Sequence, residues 1–158
     1  MFKSLAVIGV VIAVMLAFKF FSGNSESAKK ALETGKKFLD ENKDKEGVQT
    51  TSSGLQYKFL KQGSGGAMPS AKDKVEVHYH GTLIDGTVFD SSVNRGATIT
   101  FGLNQVIKGW TEGLQLMAEG DKVELYIPAN LAYGSRSAGK IPANSTLIFQ
   151  VELITINP

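Results

Sequence analysis

Two histidines and one aspartate are the first candidates for chemistry in this sequence. His78 and His80 are its only histidines, Tyr79 lies between them, and Asp90 follows ten residues after the second. From Val75 onward apolar and polar side chains alternate, which is typical of a β-strand. Because successive strand residues point to opposite faces, both histidines lie on one face and Tyr79 on the other.

Two histidines at this spacing could share a metal ion, but a complete site needs further ligands. The sequence has no other histidine and no cysteine, so only carboxylates could complete such a site. We therefore expect no metal and no cofactor. The histidines are predicted to be partly exposed polar groups on the sheet face that is turned away from the core.

Motifs for covalent and phosphate chemistry are missing as well. There is no G-x-S-x-G nucleophile elbow, no evident carboxylate to orient either histidine, and no G-x-x-x-x-G-K-[ST] loop. What remains is a concentration of aromatic and aliphatic side chains beside one carboxylate. Its members are Tyr79, Phe89, Asp90, Val106, Ile107, Trp110, Tyr133 and Phe149.

The composition indicates a globular chain rather than a disordered or nucleic-acid-binding one. Of the 158 residues, 42% are hydrophobic and 20% are charged, and the formal net charge is +2. Residues 72–158 carry 7 basic and 9 acidic side chains. That half of the chain has no basic stripe, so we expect no nucleic-acid partner. The absence of cysteine excludes disulfides and thiol catalysis.

The first residues predict a membrane segment. Residues 5–18 are apolar and uncharged, and counting from residue 4 to residue 21 reaches the length that a membrane span needs if Lys19 extends to the interface. We expect an uncleaved signal-anchor over 1–23, with the membrane contacted through 4–21. A cleaved signal peptide is the alternative. The lysines on both sides of the segment do not determine its orientation.

The rest of the chain predicts an α+β domain. Residues 25–43 are predicted to form a short helix, and residues 24–53 together to form a helix and linker before a domain at 54–158. Five segments have strand character, and one short helix carries Trp110, Leu114 and Met117 at i, i+4 and i+7. This pattern favours an antiparallel five-stranded sheet wrapped on that helix.

Several motifs in this domain occur together in one known family. In order they are V-H-Y-x-G, F-D-S-S, V-I-x-G-W, A-Y-G and I-P-x-N-x-T-L-x-F. With their spacing, the segment from Gly54 to Ile156 resembles the FK506-binding-protein (FKBP) class of peptidyl-prolyl cis–trans isomerases. The preceding "FLDENKDKEGVQTTSSGLQYKFLKQGSG" is similar to the entry into bacterial members of the macrophage-infectivity-potentiator type.

The resemblance implies a pocket for proline. Its floor would be Trp110, and the backbone N–H of Ile107 would bind a substrate carbonyl. Ile141 would lie on a flap that follows Tyr133. Catalytic roles would fall on Tyr79, Asp90 and Tyr133, and substrate binding on Phe89, Phe101, Val106, Ile107, Trp110, Ile141 and Phe149.

The resemblance also implies a biological role. The protein would accelerate proline-limited folding of exported proteins, with proline-containing polypeptides as its partners. A non-catalytic peptide-binding or chaperone module tethered to the membrane is the alternative. We expect a single-pass protein of the inner membrane with its domain in the periplasm, or a secreted or periplasmic protein after cleavage. We also expect a monomer, and macrolide inhibitors are further expected ligands of the pocket.

Overall fold

The computed structural model describes residues 26–158, and its strands all pair antiparallel in one sheet. The helices are α1 (Glu26–Asn42), α2 (Ser92–Arg95) and α3 (Lys108–Leu114). The strands are β1 (Gln49–Thr50), β2 (Gln56–Lys61), β3 (Lys74–Leu83), β4 (Val88–Ser91), β5 (Ile99–Gly102), β6 (Lys122–Ile127) and β7 (Leu147–Ile156). Single 3₁₀ turns lie at Leu103–Gln105 and Ala129–Leu131.

The sheet has seven strands, so the expectation of five was wrong. The strand order is β1-β2-β6-β7-β3-β4, and β5 also pairs with β3. β1 is only two residues long, too short for an alternating pattern. In β4 three consecutive residues, Phe89 to Ser91, are buried, so this strand also lacks the alternation that would have identified it. The α+β class is confirmed.

The predicted membrane segment at 1–23 lies outside the described residues. Within residues 26–158, none of the helices is both long and apolar enough to cross a bilayer.

The core lies between the sheet and α3. On β3, Val75, Val77 and Tyr79 are fully buried, whereas the residues between them are half-buried. α3 lies so close to β6 that a Cβ added to Gly113 would come within 2.8 Å of Leu125 Cδ2. Glycine inside a helix costs about 1 kcal/mol relative to alanine, and here the close packing of helix on strand requires it.

The helix predicted at residues 25–43 is present as α1 and packs against the sheet domain. Asn144 Nδ2 donates to the carbonyl of Ala28 over 3.1 Å, and Asn42 Nδ2 donates to Gln56 Oε1 over 2.8 Å. The rings of Phe38 and Tyr126 lie 6.1 Å apart. α1 is therefore held against the domain at its first turn and along its last two turns.

Gly35 provides a test of this docking, because two effects of replacing it by alanine oppose each other. Alanine should stabilise an exposed helix position by about 1 kcal/mol. Gly35 is buried, however, and an added Cβ would overlap the hydroxyl of Thr146. Overpacking costs about 1–3 kcal/mol, so Gly35→Ala is expected to lower the free energy of unfolding or to undock α1. Urea unfolding and hydrogen exchange of the α1 amides measure both.

The matched control removes the hydroxyl that alanine would meet. In a Thr146→Ala background, Gly35→Ala is expected to cost less stability than it does alone, because the hydroxyl is gone and only the Cβ of residue 146, at 3.3 Å, remains close. If Gly35→Ala stabilised the protein with Thr146 present, the close approach of helix and loop would not be a constraint.

Candidate active site

An aromatic cluster surrounds Trp110. The ring centroids of Tyr79, Phe101 and Phe149 lie 5.4, 5.8 and 5.4 Å from the Trp110 ring, at interplanar angles of 85–86°. Phe89 extends the cluster, 5.3 Å from Phe149. Edge-to-face pairs contribute about 0.5–1.5 kcal/mol each beyond their burial. The rings therefore form a rigid apolar surface around Trp110.

Four separate elements supply these rings, which is why the cluster depends on the tertiary fold. Trp110 comes from α3, and the other three rings that contact it come from β3, β5 and β7. Trp110 is fully buried, and its Nε1 has no hydrogen-bond acceptor among residues 26–158. Packing alone positions the indole.

One carboxylate borders the cluster and is fully engaged by its neighbours. Tyr79 donates its hydroxyl proton to Asp90 Oδ2 over 2.6 Å. Arg95 Nη1 donates to Asp90 Oδ1 over 2.5 Å, and Arg95 Nη2 donates to the Tyr79 hydroxyl over 3.1 Å. Asp90 is buried, with its residue 8% exposed. The three groups satisfy one another, as buried polar groups must.

The short helix α2 brings Arg95 back to Asp90. Ser91 caps the helix, and its hydroxyl accepts from the backbone N–H of Asn94 over 3.1 Å. Gly96 ends the helix in the left-handed conformation, with φ of 73°. One tight helical turn thus places the guanidinium over the carboxylate five residues before it.

The two phenols of the site are held in their neutral form. Burial, followed by the hydrogen bond to Asp90, raises the pKa of Tyr79 well above its ordinary value. Burial and the charge of Asp90 raise the pKa of Tyr133 in the same direction. Both hydroxyls therefore keep their protons at neutral pH.

A cavity of about 420 Å³ opens beside this cluster. Val106, Ile107 and Tyr133 line it, together with residues of the loop that follows Tyr133. Ile107 is also the residue before α3, and its carbonyl accepts from the N–H of Trp110 over 3.0 Å. Ile141 is buried at a tight turn, where its N–H and carbonyl both bond to Ala138.

The structure brings the ten predicted site residues into one region. Nine of them belong to a single buried apolar cluster, and Asp90 is bonded to one of those nine. Their roles stay predictions. The nine are Tyr79, Phe89, Phe101, Val106, Ile107, Trp110, Tyr133, Ile141 and Phe149.

The histidines contact two serines of the F-D-S-S motif. His78 Nδ1 lies 2.7 Å from Ser92 Oγ, and His80 Nδ1 lies 2.8 Å from Ser91 Oγ. Ser92 Oγ also accepts from the backbone N–H of Tyr79 over 2.7 Å. The serines and Arg95 were absent from the predicted site, although the F-D-S-S motif already pointed to the serines. Among residues 26–158, no three His, Asp or Glu side chains are grouped closely enough to bind a metal.

This arrangement is suited to binding and not to covalent chemistry. The carboxylate is occupied by Tyr79 and Arg95, and the histidines are bonded to serines. The aromatic cluster around Trp110 is apolar, and the cavity at Val106, Ile107 and Tyr133 has both apolar and polar walls. Such a site can enclose a small apolar ring and exclude water from the groups beside it.

Comparison with known proteins identifies the family. Residues 65–154 match the model of the FKBP-type peptidyl-prolyl cis-trans isomerase, and residues 11–59 match that of the domain amino terminal to it. An FKBP-type peptidyl-prolyl cis-trans isomerase FkpA from Aeromonas hydrophila is 58% identical over 122 residues, covering 77% of this chain and 45% of that protein. The outer membrane protein MIP of Legionella longbeachae is 51% identical over 137 residues, covering 84% and 58% respectively.

A solved crystal structure has the same fold as this chain. The crystal structure of FkpA from Escherichia coli matches with a TM-score of 0.80 at 44% identity, over 84% of this chain and 62% of that chain. The chain spans about half the length of the curated relatives it matches. The resemblance inferred from the motifs is confirmed, and the chain belongs to the FKBP-type peptidyl-prolyl cis-trans isomerase family.

Proposed function

We propose that this chain catalyses cis–trans isomerisation of the peptide bond before proline, and that residues 54–158 form the isomerase domain. The observation that carries this proposal is the aromatic cluster around Trp110, which lies next to a single carboxylate held by Tyr79 and Arg95. Family membership supports the same activity.

The reaction requires what this site offers. Rotating a peptide bond breaks amide resonance, with a barrier of about 18–20 kcal/mol. No covalent bond is made or broken, so no nucleophile is needed. The twisted transition state is less charge-separated than the planar amide, and a dry apolar cavity therefore disfavours the ground state more. This difference lowers the barrier.

Each predicted residue has a place in this mechanism. Trp110 forms the floor under the proline ring, and Phe89, Phe101, Val106, Ile141 and Phe149 exclude water around it. The Ile107 N–H binds a substrate carbonyl, and Tyr133 donates a hydrogen bond at the cavity edge. Asp90 and Tyr79 either orient the substrate chain or set the shape of the pocket wall. No cofactor is required.

The test is an isomerisation assay of the full-length protein on a proline tetrapeptide. Phe89→Leu is expected to lower kcat/KM by about tenfold. Leucine has no aromatic ring, so the variant loses ring contacts worth about 1.4 kcal/mol. The matched control is Phe59→Leu, at a partly buried ring on β2 that contacts Tyr57 instead. The proposal fails if the unmodified protein gives only the uncatalysed rate, which would favour a non-catalytic peptide-binding module. Equal rates for Phe89→Leu and the control would refute the pocket assignment.

We further propose that residues 1–23 anchor the protein in the inner membrane and that the domain acts on exported proteins in the periplasm as a monomer. The apolar run at residues 5–18 supports the anchor, and the name of the Legionella longbeachae relative places that protein at a membrane. Fractionation with protease protection of the full chain tests this. Recovery of a soluble protein without residues 1–23 would favour the secreted form.

A further inference from the structure

Along the part of the chain that the structure describes, β3 lacks a strand partner on one edge at two residues beside the proposed active site. On that edge β5 pairs with β3 as far as Val77, and β4 pairs with it from His80 onward. Helix α2 connects β4 to β5 and packs against β3, so it takes the place of a strand at His78 and Tyr79. The backbone of Tyr79 must therefore find its hydrogen bonds on this edge outside the sheet.

The hydroxyl of Ser92 supplies those hydrogen bonds. Its Oγ accepts from the Tyr79 N–H over 2.7 Å and donates to the Tyr79 carbonyl over 3.2 Å. Ser92 is fully buried, and its own carbonyl accepts from the N–H groups of Gly96 and Ala97 at the end of α2. One hydroxyl, itself held by the helical turn, thus replaces a neighbouring strand at Tyr79.

His78 completes the hydrogen bonding of this hydroxyl. Its Nδ1 lies 2.7 Å from Ser92 Oγ. A serine hydroxyl has one proton to donate and two lone pairs that accept. Because the proton goes to the Tyr79 carbonyl and one lone pair accepts the Tyr79 N–H, the remaining partner must be a donor. The hydroxyl is therefore fully satisfied only when His78 carries its proton on Nδ1.

The segment that contains Ser92 also holds the other end of Tyr79. Two residues before Ser92, Asp90 Oδ2 accepts from the Tyr79 hydroxyl over 2.6 Å, and the Tyr79 ring lies edge-on to Trp110 at 5.4 Å. A tyrosine side chain has only two rotatable bonds, so a shift of its backbone also moves its hydroxyl. A short hydrogen bond to a carboxylate tolerates little displacement. A displaced Tyr79 backbone would therefore change the pocket wall and weaken the bond to Asp90.

We propose that Ser92, oriented by the Nδ1 proton of His78, is a positioning residue of the isomerase reaction, because it fixes the Tyr79 backbone where the phenol reaches Asp90. The proposal rests on the proposed isomerase function. Ser92 is fully buried and bonded to its neighbours, so it acts through Tyr79 and not on the substrate. The same role accounts for a histidine on the face of β3 opposite the pocket.

The test replaces His78, which is half-buried and lies outside the buried core. His78→Leu removes the Nδ1 donor, whereas His78→Asn keeps an N–H donor at nearly the same place. On a proline tetrapeptide, His78→Leu in the full-length protein is expected to lower kcat by about threefold to tenfold, the effect of one hydrogen bond. KM should change little, because the groups that contact the substrate are still present. His78→Asn should restore most of the rate.

His80→Leu is the matched control. His80 is the second histidine on the same face of β3 and also bonds to a serine, Ser91, but that serine caps α2 and does not bond to Tyr79. The cap bond from the Asn94 N–H to Ser91 remains in this variant. We therefore expect the rate of the unmodified protein.

Nuclear magnetic resonance reports the position of Tyr79 independently of the rate. In the unmodified protein the Tyr79 hydroxyl proton should give a resolved signal that exchanges slowly with water, and the nitrogen shifts of neutral His78 should place its proton on Nδ1. His78→Leu should broaden or remove the Tyr79 signal, and Ser92→Ala should do so to a greater extent. A loss of stability alone would leave that signal unchanged in the folded molecules.

Three results would each overturn this positioning role. They are an unchanged rate and Tyr79 signal in His78→Leu, equal effects of His78→Leu and the His80→Leu control, and a neutral His78 that carries its proton on Nε2. A His78→Asn variant no more active than His78→Leu would also contradict it. Absence of turnover in the unmodified protein would instead overturn the proposed function, and the resonance signals would still show whether Ser92 holds Tyr79.

Discussion

Replacing Asp90 by asparagine is expected to lower kcat/KM for a proline tetrapeptide by about tenfold to a hundredfold, or about 1.4–2.7 kcal/mol, while the domain stays folded. Asparagine keeps the size of the side chain but removes the negative charge that Arg95 and the Tyr79 hydroxyl both contact. The Arg95 side chain is 24% exposed, so water compensates part of the lost ion pair. The free energy of unfolding should therefore fall by about 1–3 kcal/mol.

Two further variants separate a direct role of Asp90 from a role in shaping the pocket. If the carboxylate acts through the position of its partners, Tyr79→Phe and Arg95→Leu should reproduce most of the loss. If it acts on the substrate itself, those variants should retain a rate well above that of Asp90→Asn. Asp44→Asn, at an exposed position after α1, is the control for removing a carboxylate. An Asp90→Asn variant as active as this control would exclude both roles.

The pH dependence of the rate tests the protonation state of the two phenols in the site. Burial raises the pKa of Tyr79 and Tyr133 above the ordinary value of about 10. Both phenols are then protonated in the folded protein at every pH where the free phenol is protonated. We therefore expect neither phenol to cause a fall in kcat/KM between pH 7 and pH 9.

Part of the site was predictable from the sequence, because local rules decide which face of a strand a residue occupies and the motif resemblance names the other residues. Period-two alternation was sufficient to place Tyr79 inside and the histidines on the other face of β3. The motif resemblance identified residues from distant parts of the chain that the fold brings around Trp110. Neither inference required knowledge of strand order.

The missed features depend on contacts between distant segments. The sequence pattern of α1 shows where a helix forms but not that Asn144 and Gln56 hold it against the sheet. Likewise, the two residues of β1 are a strand only because β2 lies beside them.

Gly81 shows how close the packing around the site is, and Gly81→Ala is expected to be among the most damaging small substitutions. A Cβ at this position would lie 2.7 Å from Phe149 Cε2 and 2.8 Å from Phe89 Cζ, in a buried part of β3. Rings in a packed core yield only by shifting other side chains, at a cost of about 1–3 kcal/mol. The free energy of unfolding should fall by that amount.

The activity of Gly81→Ala should fall as well, because the two rings that the new Cβ meets, Phe149 and Phe89, both belong to the proposed pocket. Gly66→Ala is the control, since an added Cβ there meets only Ser64 Oγ, at 3.8 Å. Combining Gly81→Ala with Phe89→Leu should cost less stability than the two single losses together, because leucine vacates part of the space. Additive losses would place the strain at Phe149 alone. If Gly81→Ala had the stability and rate of the unmodified protein, both rings would be able to shift freely. Close packing around Gly81 would then not be what holds the pocket wall in place.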